Sequence, residues 1–198
     1  MIPIDLPKAG ERVGVFVSGG WDSAVLWYII KQHCLRNKIE CVPFTVPKLD
    51  GAVNFANKVL EWSCGEFGIP IVYTNPVGSI EGEDTSAYVK SGVVEVLENK
   101  MADVVYTAVN KYPSWMEPPA DRVFTKDTEY EDIVRQPFAD LYKSDIVNLA
   151  FELGIANRIM YITHTCTERE HGRCNLCWWC KEREWAFSET NHKDYGEF

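Results

Sequence analysis

Two stretches of the chain hold residues whose types and spacing could do chemistry. The first is Ser18-Gly19-Gly20-Trp21-Asp22-Ser23, which follows a short apolar run and opens a helical pattern. At a strand-to-helix turn the first N–H groups of the helix lack partners within it, and the helix dipole adds positive potential at the same point. That arrangement suits a phosphate. Gly19 and Gly20 let the backbone approach an anion without an intervening Cβ, and Ser18 and Ser23 add hydroxyl donors. Asp22 is placed to hold Mg²⁺ bridging the phosphates. The bland alternative is a glycine turn with a serine or aspartate cap. Five fixed residues in the right strand–helix context favour the phosphate. The loop is not a Walker A sequence, because no Gly-Lys-Ser/Thr follows.

The second stretch is Cys166-x₇-Cys174-x₂-Cys177-x₂-Cys180, four of the seven cysteines within fifteen residues. Thiolates at this knuckle spacing can close a tetrahedral zinc site with no open position, which makes the role structural. Cys-x₂-Cys-x₂-Cys also begins iron–sulfur runs, although the Cys-Pro that completes those is absent, so both metals stay open on spacing alone. His164 and His171 lie nearby, but four sulfurs already fill a site, and a surface or supporting role suits each histidine better. Cys34, Cys41 and Cys64 stand in apolar surroundings and read as small buried hydrophobes.

The elements that must position these groups alternate. Strand-like segments run over Arg12 to Val17, Ile39 to Val46, Ile69 to Thr74 and Asp103 to Val109. Between them lie a helix holding Val25 to Ile30, one from Asp50 with Val53, Ala56, Leu60 and Phe67 on a stripe, and one carrying Val93, Val96 and Leu97. Strands alternating with helices predict an α/β fold, a Rossmann-like parallel sheet covered on both faces, with any ligand along one edge. Asn110 to Arg135 reads as a long irregular stretch, and stretches of that length are usually functional; Tyr112 and Trp115 stand at its start. A further helix spans Ser144 to Leu153 and ends at Gly154. No internal repeat or interdomain linker interrupts the pattern, so a single domain over residues 1–198 is expected, with 163–187 as its metal-binding C-terminal segment.

Composition narrows the partners. Apolar residues at 46% and charged residues at 25% are ordinary globular values. A net charge of −9 gives no footprint for wrapping a nucleic-acid backbone. Neither a signal peptide nor a run of roughly 18 apolar residues is present, so a cytoplasmic protein is expected. A homodimer is left open.

Ser-Gly-Gly-x-Asp-Ser after the first strand resembles the signature of the PP-loop (N-type) ATP pyrophosphatases. Gln136-Pro137-Phe138-Ala139-Asp140-Leu141-Tyr142-Lys143 is similar to a downstream segment of that superfamily. Thr163 to Cys166, Cys174 to Cys177 and Cys180 to Phe187 are similar to the C-terminus of the 7-cyano-7-deazaguanine synthases of the queuosine pathway. Val109-Asn110-Lys111-Tyr112-Pro113 is similar to a segment that lies beside the substrate in that family.

This resemblance implies that Ser18 to Ser23 bind ATP with Mg²⁺, that adenine lies near Phe44 and Val46, and that Lys143 returns to the phosphate loop. It implies substrate contacts from Asn110, Tyr112 and Trp115, structural Zn²⁺ on the four cysteines, and catalysis involving Asp22 and Lys143. The implied partners are a deazapurine carboxylate, ammonia and ATP. Lys48 to Ala52 and Asp84 to Ala87 depart from the family pattern, which leaves the acceptor less fixed than the ATP half. Two rival readings are a tRNA thiolation or lysidine-type enzyme of the same superfamily and a non-catalytic nucleotide-binding homologue.

Overall fold

The computed structural model of the protein describes residues 4–47, 51–78, 85–119, 130 and 132–196, with the side chains of 85–88 left aside. In chain order the elements are β1 (Val13–Phe16), α1 (Trp21–Asn37), β2 (Cys41–Thr45), α2 (Ala52–Phe67), β3 (Asn75–Pro76), α3 (Thr85–Glu98), β4 (Val104–Tyr106), β5 (Val134–Arg135), α4 (Lys143–Glu152), α5 (Ala156–Ile162) and α6 (Trp178–Glu189). The strands form one parallel sheet in the order β3-β2-β1-β4-β5. The chain builds outward from β1 through β2 to β3, then returns to β4 on the other side of β1. Loops leaving the C-terminal ends of β1 and β4 therefore diverge, and in sheets of this order a ligand crevice is expected where the direction reverses.

Alternation along the strands sorts the core into two. Val13 and Val15 of β1, with Val104 and Tyr106 of β4, face the larger cluster with Trp21, Trp27, Leu60, Phe138, Ile146, Ile159 and Phe187. Phe16 and Val105 face the other side, with Phe44, Val46, Val93 and Val96. Helices thus cover both faces unequally: α1, α2, α4, α5 and α6 supply the larger cluster and α3 the smaller. Burying each large apolar side chain contributes about 1.5–3 kcal/mol, so the larger face is the main anchor of the fold.

Several expectations need correction. The third strand was expected over Ile69 to Thr74, yet the chain pairs with β2 only at Asn75–Pro76. Its earlier donors are taken elsewhere: the Ile69 N–H donates to Cys64 O at 3.0 Å, and the Thr74 N–H to Asn57 Oδ1 at 3.0 Å. Ile71 and Tyr73 are left exposed. The irregular stretch expected over 110–135 ends in the fifth strand, and β4 stops at Tyr106, short of Val109. β5 is only two residues long, below what alternation can reveal. It is held by Val105↔Val134 and Tyr106↔Arg135 pairing. On α2 the core face is Ala52, Ala56, Val59, Leu60, Ser63 and Cys64, while Val53 and Phe67 are only half-buried. Phe67 instead stacks on Tyr28 of α1. Lys48 to Asp50, Asp84 and most of 120–131 lie outside the described residues.

Candidate nucleotide site and candidate metal centre

Ser18 to Ser23 form the turn between β1 and α1, at the C-terminal edge of the sheet beside the crevice. The Ser23 hydroxyl donates to Gly20 O at 3.0 Å, accepts from the Ser18 N–H at 3.1 Å and lies 3.1 Å from the Ser18 hydroxyl. The two serines therefore organise the turn itself. Gly19 has φ +80°, and a Cβ there would lie 2.4 Å from Phe55 Cβ and 2.8 Å from the Ala56 nitrogen. Only glycine fits where the loop passes the first turns of α2. Gly20 is different: a Cβ would meet nothing nearer than Ser18 Oγ at 3.4 Å. Its openness leaves room for an approaching group. Beside Phe55 a groove of ≈ 380 Å³ runs along α2, lined also by Asn57, Lys58, Glu61 and Glu170.

Lys143 begins α4, just past the segment that follows β5, and is 3% exposed. Its backbone sits where the helix dipole disfavours a cation. Asp145, also in the first turn, offsets this with a negative charge and accepts the Tyr142 N–H at 2.8 Å. Lys143 Nζ lies 2.9 Å from Asp22 Oδ2 and 2.7 Å from Glu182 Oε2 of α6. Glu182 is fully buried, and the Asn110 amide donates to its Oε1 at 3.4 Å and to Lys111 O at 3.2 Å. Burying such ions costs several kcal/mol each unless they are paired, and here acid and base meet. Elements after β1, β4 and β5 thus deliver Asp22, Asn110 and Lys143 to one place, and α6 adds Glu182.

The cysteine segment has little regular structure between α5 and α6. Asn175, in a left-handed conformation at φ +58°, turns the backbone so that the Leu176 and Cys177 N–H groups point at Cys174 Sγ, at 3.4 and 3.2 Å. Asparagine tolerates that conformation better than most residues. Those N–H groups, Cys177 first, draw the Cys174 thiol down to about 6, while burial pushes the Cys166 and Cys180 thiols up. The four sulfurs lie within 4.8 Å of one another. A tetrahedral ion ~2.3 Å from each sulfur would set them about 3.8 Å apart, so the donor set fits a single ion with small adjustment. In a 4Fe-4S cluster each thiolate binds its own iron, which spreads the sulfurs wider than around one ion.

The loop and the cysteine segment touch. The His164 N–H donates to Gly19 O at 2.9 Å, and its ring stacks on Phe55 at 4.3 Å. Arg183, fully buried on α6, bonds Asp194 at 2.8 Å and Thr165 Oγ1 at 3.0 Å, and its guanidinium faces the Trp21 ring. The tail is thereby folded back onto the helix.

Not every expected residue meets the crevice. Ser18, Gly19, Gly20, Asp22 and Ser23 share the turn after β1, and Asp22 and Asn110 are brought to Lys143 and Glu182 beside it. Trp21 is 1% exposed and packs edge-on against Phe187, so its side chain belongs to the core. Phe44 is fully buried over Gly14, and Val46 packs toward Gly92, so both offer a ligand backbone atoms at most. Asn110, 4% exposed, spends its amide on Glu182 and Lys111. Tyr112 meets Trp178 edge-on, and Trp115, 67% exposed, meets Trp185. Glu182 was missed, though a signal existed: Trp178, Glu182 and Trp185 fall at i, i+4 and i+7, with the acid on an aromatic face. Among the described residues no helix is long and apolar enough to cross a membrane.

Comparison with known proteins bears mainly on the second half. Residues 106–191 match the family model described as Queuosine biosynthesis protein QueC, a span that takes in Asn110, Lys143, Glu182 and all four cysteines but not the phosphate loop. A 7-cyano-7-deazaguanine synthase of Methanosphaera stadtmanae is 34% identical over 70 residues, which are 35% of this chain and 30% of that protein. An NH3-dependent NAD synthetase from Campylobacter jejuni superposes with a TM-score of 0.45 at 17% identity, over 75% of this chain and 66% of the other. The U34-tRNA thiolase NcsA from Methanococcus maripaludis, solved with its 4Fe-4S cluster, gives 0.48 at 18% identity, over 96% and 70%. Both superpositions are loose, and the assignment of the fold rests on the strand order and register described above.

Proposed function

We propose that this chain, similar over residues 106–191 to the QueC family model and over 70 residues to a 7-cyano-7-deazaguanine synthase, is a divergent relative of those synthases and adenylates a carboxylated deazapurine, 7-carboxy-7-deazaguanine, at the expense of ATP. The observation that carries the reading is the meeting of Lys143 with Asp22 at the mouth of the Ser18–Ser23 turn, at 2.9 Å. An ammonium and a carboxylate beside a row of helix-start N–H groups form a place for a triphosphate and its cation. Asp22 would hold Mg²⁺, which supplies charge neutralisation to the phosphates when bound.

The chain's own part is orientation and charge. N–H groups at the start of α1 hold phosphate oxygens. The substrate carboxylate attacks the α-phosphorus, the bond to the bridging oxygen breaks, and pyrophosphate leaves with its charge shared by Lys143. Ammonia then displaces AMP from the acyl-adenylate to give the amide. A second adenylation, on the amide oxygen, lets that oxygen depart with AMP to leave the nitrile. Tyr112, half-buried, and Trp115, exposed, follow β4 and rest edge-on against Trp178 and Trp185 of α6, and a planar deazapurine would stack on that aromatic group.

We read the chain as one domain in which 163–187 bind a single zinc ion through Cys166, Cys174, Cys177 and Cys180, with a structural role. Closely gathered sulfurs support one ion over a cluster. The test is pyrophosphate release by purified protein. It should require both 7-carboxy-7-deazaguanine and ammonium, from a colourless preparation holding about one zinc per chain. Brown protein absorbing near ~400 nm, with turnover on tRNA alone, would replace this reading with the thiolation-type one.

A further inference from the structure

Glu182 is a glutamate with no exposed surface, on a helix whose neighbouring turns carry Trp178 and Trp185. Its carboxylate meets Lys143 at 2.7 Å and Asn110 at 3.4 Å. A buried ion pair is often no more stabilising than an apolar pair of the same volume. Stability alone therefore does not account for an acid at this position. Its geometry does. The same ammonium lies 2.9 Å from Asp22, so Lys143 is suspended between one carboxylate from the phosphate-loop helix and another from the helix that follows the cysteines.

We propose that Glu182 is a positioning residue for nucleotide binding, holding the Lys143 ammonium at the mouth of the phosphate loop while Asp22 turns to the metal ion that accompanies the nucleotide. This rests on the ATP reading above and goes beyond it by assigning a role to α6. The charges explain the need. Glu182 gives the Lys143 ammonium a second carboxylate at 2.7 Å, which leaves Asp22 able to turn to a cation. Without the Glu182 charge, Lys143 loses the carboxylate at 2.7 Å that the metal ion does not call on, and its attraction to Asp22 competes with Mg²⁺. Because Cys177 caps α6 and Cys180 lies in its first turn, the position of Glu182 follows from the metal-bound segment. The candidate metal centre thereby reaches the nucleotide through one side chain.

Glu182→Gln keeps the shape and the acceptor for Asn110 while removing the charge. The experiment measures Mg·ATP affinity by calorimetry and the Lys143 ammonium signal by ¹⁵N NMR. It compares wild type, Glu182→Gln, Glu182→Asp and, as a control, the exposed neighbour Glu184→Gln. The expected result is tenfold or weaker Mg·ATP binding in Glu182→Gln with wild-type metal content, partial recovery in Glu182→Asp, and no change in Glu184→Gln. The Lys143 ammonium should exchange slowly in wild type and rapidly in Glu182→Gln. Wild-type affinity in Glu182→Gln, or a slow ammonium signal there, overturns the positioning role alone. Should Glu182→Gln fail to fold, Glu182→Asp decides: wild-type affinity with a rapidly exchanging ammonium overturns the role, and weakened affinity with bound metal supports it. Wild-type protein that does not bind Mg·ATP overturns the ATP reading and this proposal together.

Discussion

The turn at Ser18–Ser23 and the segment at Cys166–Cys180 sit side by side and are held in opposite ways. The first is fixed by backbone: β1 lies between β2 and β4, α1 starts where β1 ends, and the serines bond within the turn. The second has almost no ladder of its own and is gathered by four sulfurs and by N–H groups aimed at one of them. A backbone-defined site needs the whole sheet but no particular ligand, whereas a sulfur-defined one needs its metal. The contacts His164–Gly19 and Glu182–Lys143 join the two, so disturbance should pass from the metal segment to the loop more readily than the reverse.

The largest effect tests the independence of the loop chemistry. Asp22→Ala should lower pyrophosphate release by on the order of 10² or more, with the melting temperature and bound metal close to wild type. Full activity in that variant would remove Asp22 from the site. Next in size is Cys177→Ser, which acts on the other region. Structural zinc contributes ~10–16 kcal/mol in finger peptides. The large core here keeps the fold, but losing even a few kcal/mol should lower the melting temperature by roughly 10 °C. Mg·ATP affinity should fall with it, because α6 loses its anchor. Retained affinity after metal loss would show the two regions to be uncoupled.

Smaller effects separate the two glycines. Gly19→Ala places a Cβ 2.4 Å from Phe55 Cβ at φ +80°. Strain of this kind costs about 1–3 kcal/mol, visible in denaturant unfolding. Gly20→Ala meets nothing closer than 3.4 Å, and its stability should stay within about 0.5 kcal/mol of wild type. Equal costs at the two positions would contradict the packing of the loop against α2.

How much of this the sequence disclosed follows the same division. β1, α1 and the turn between them were legible because an apolar run, two glycines and a helical pattern lie next to one another. The cysteines were legible from spacing alone. β5 escaped, and the third strand was placed one step too early, because two residues cannot show alternation and their place depends on partners far away in the chain. The side chains of Trp21, Phe44 and Val46 could not be oriented from sequence: adjacency to a site does not say which way a side chain faces, and all three face the core, leaving only their backbone atoms for a ligand. Glu182 was hidden because its significance lies in meeting Lys143, a contact that only the packing of α6 on α4 creates.

The central claim is attack by a carboxylate on the α-phosphorus of ATP held at the Ser18–Ser23 turn. Turnover of 7-carboxy-7-deazaguanine labelled with ¹⁸O in its carboxylate tests it directly, by mass analysis of the nucleotide formed. The account predicts ¹⁸O in the phosphate of AMP and none in pyrophosphate. Unlabelled AMP, or ADP with labelled inorganic phosphate, would contradict it.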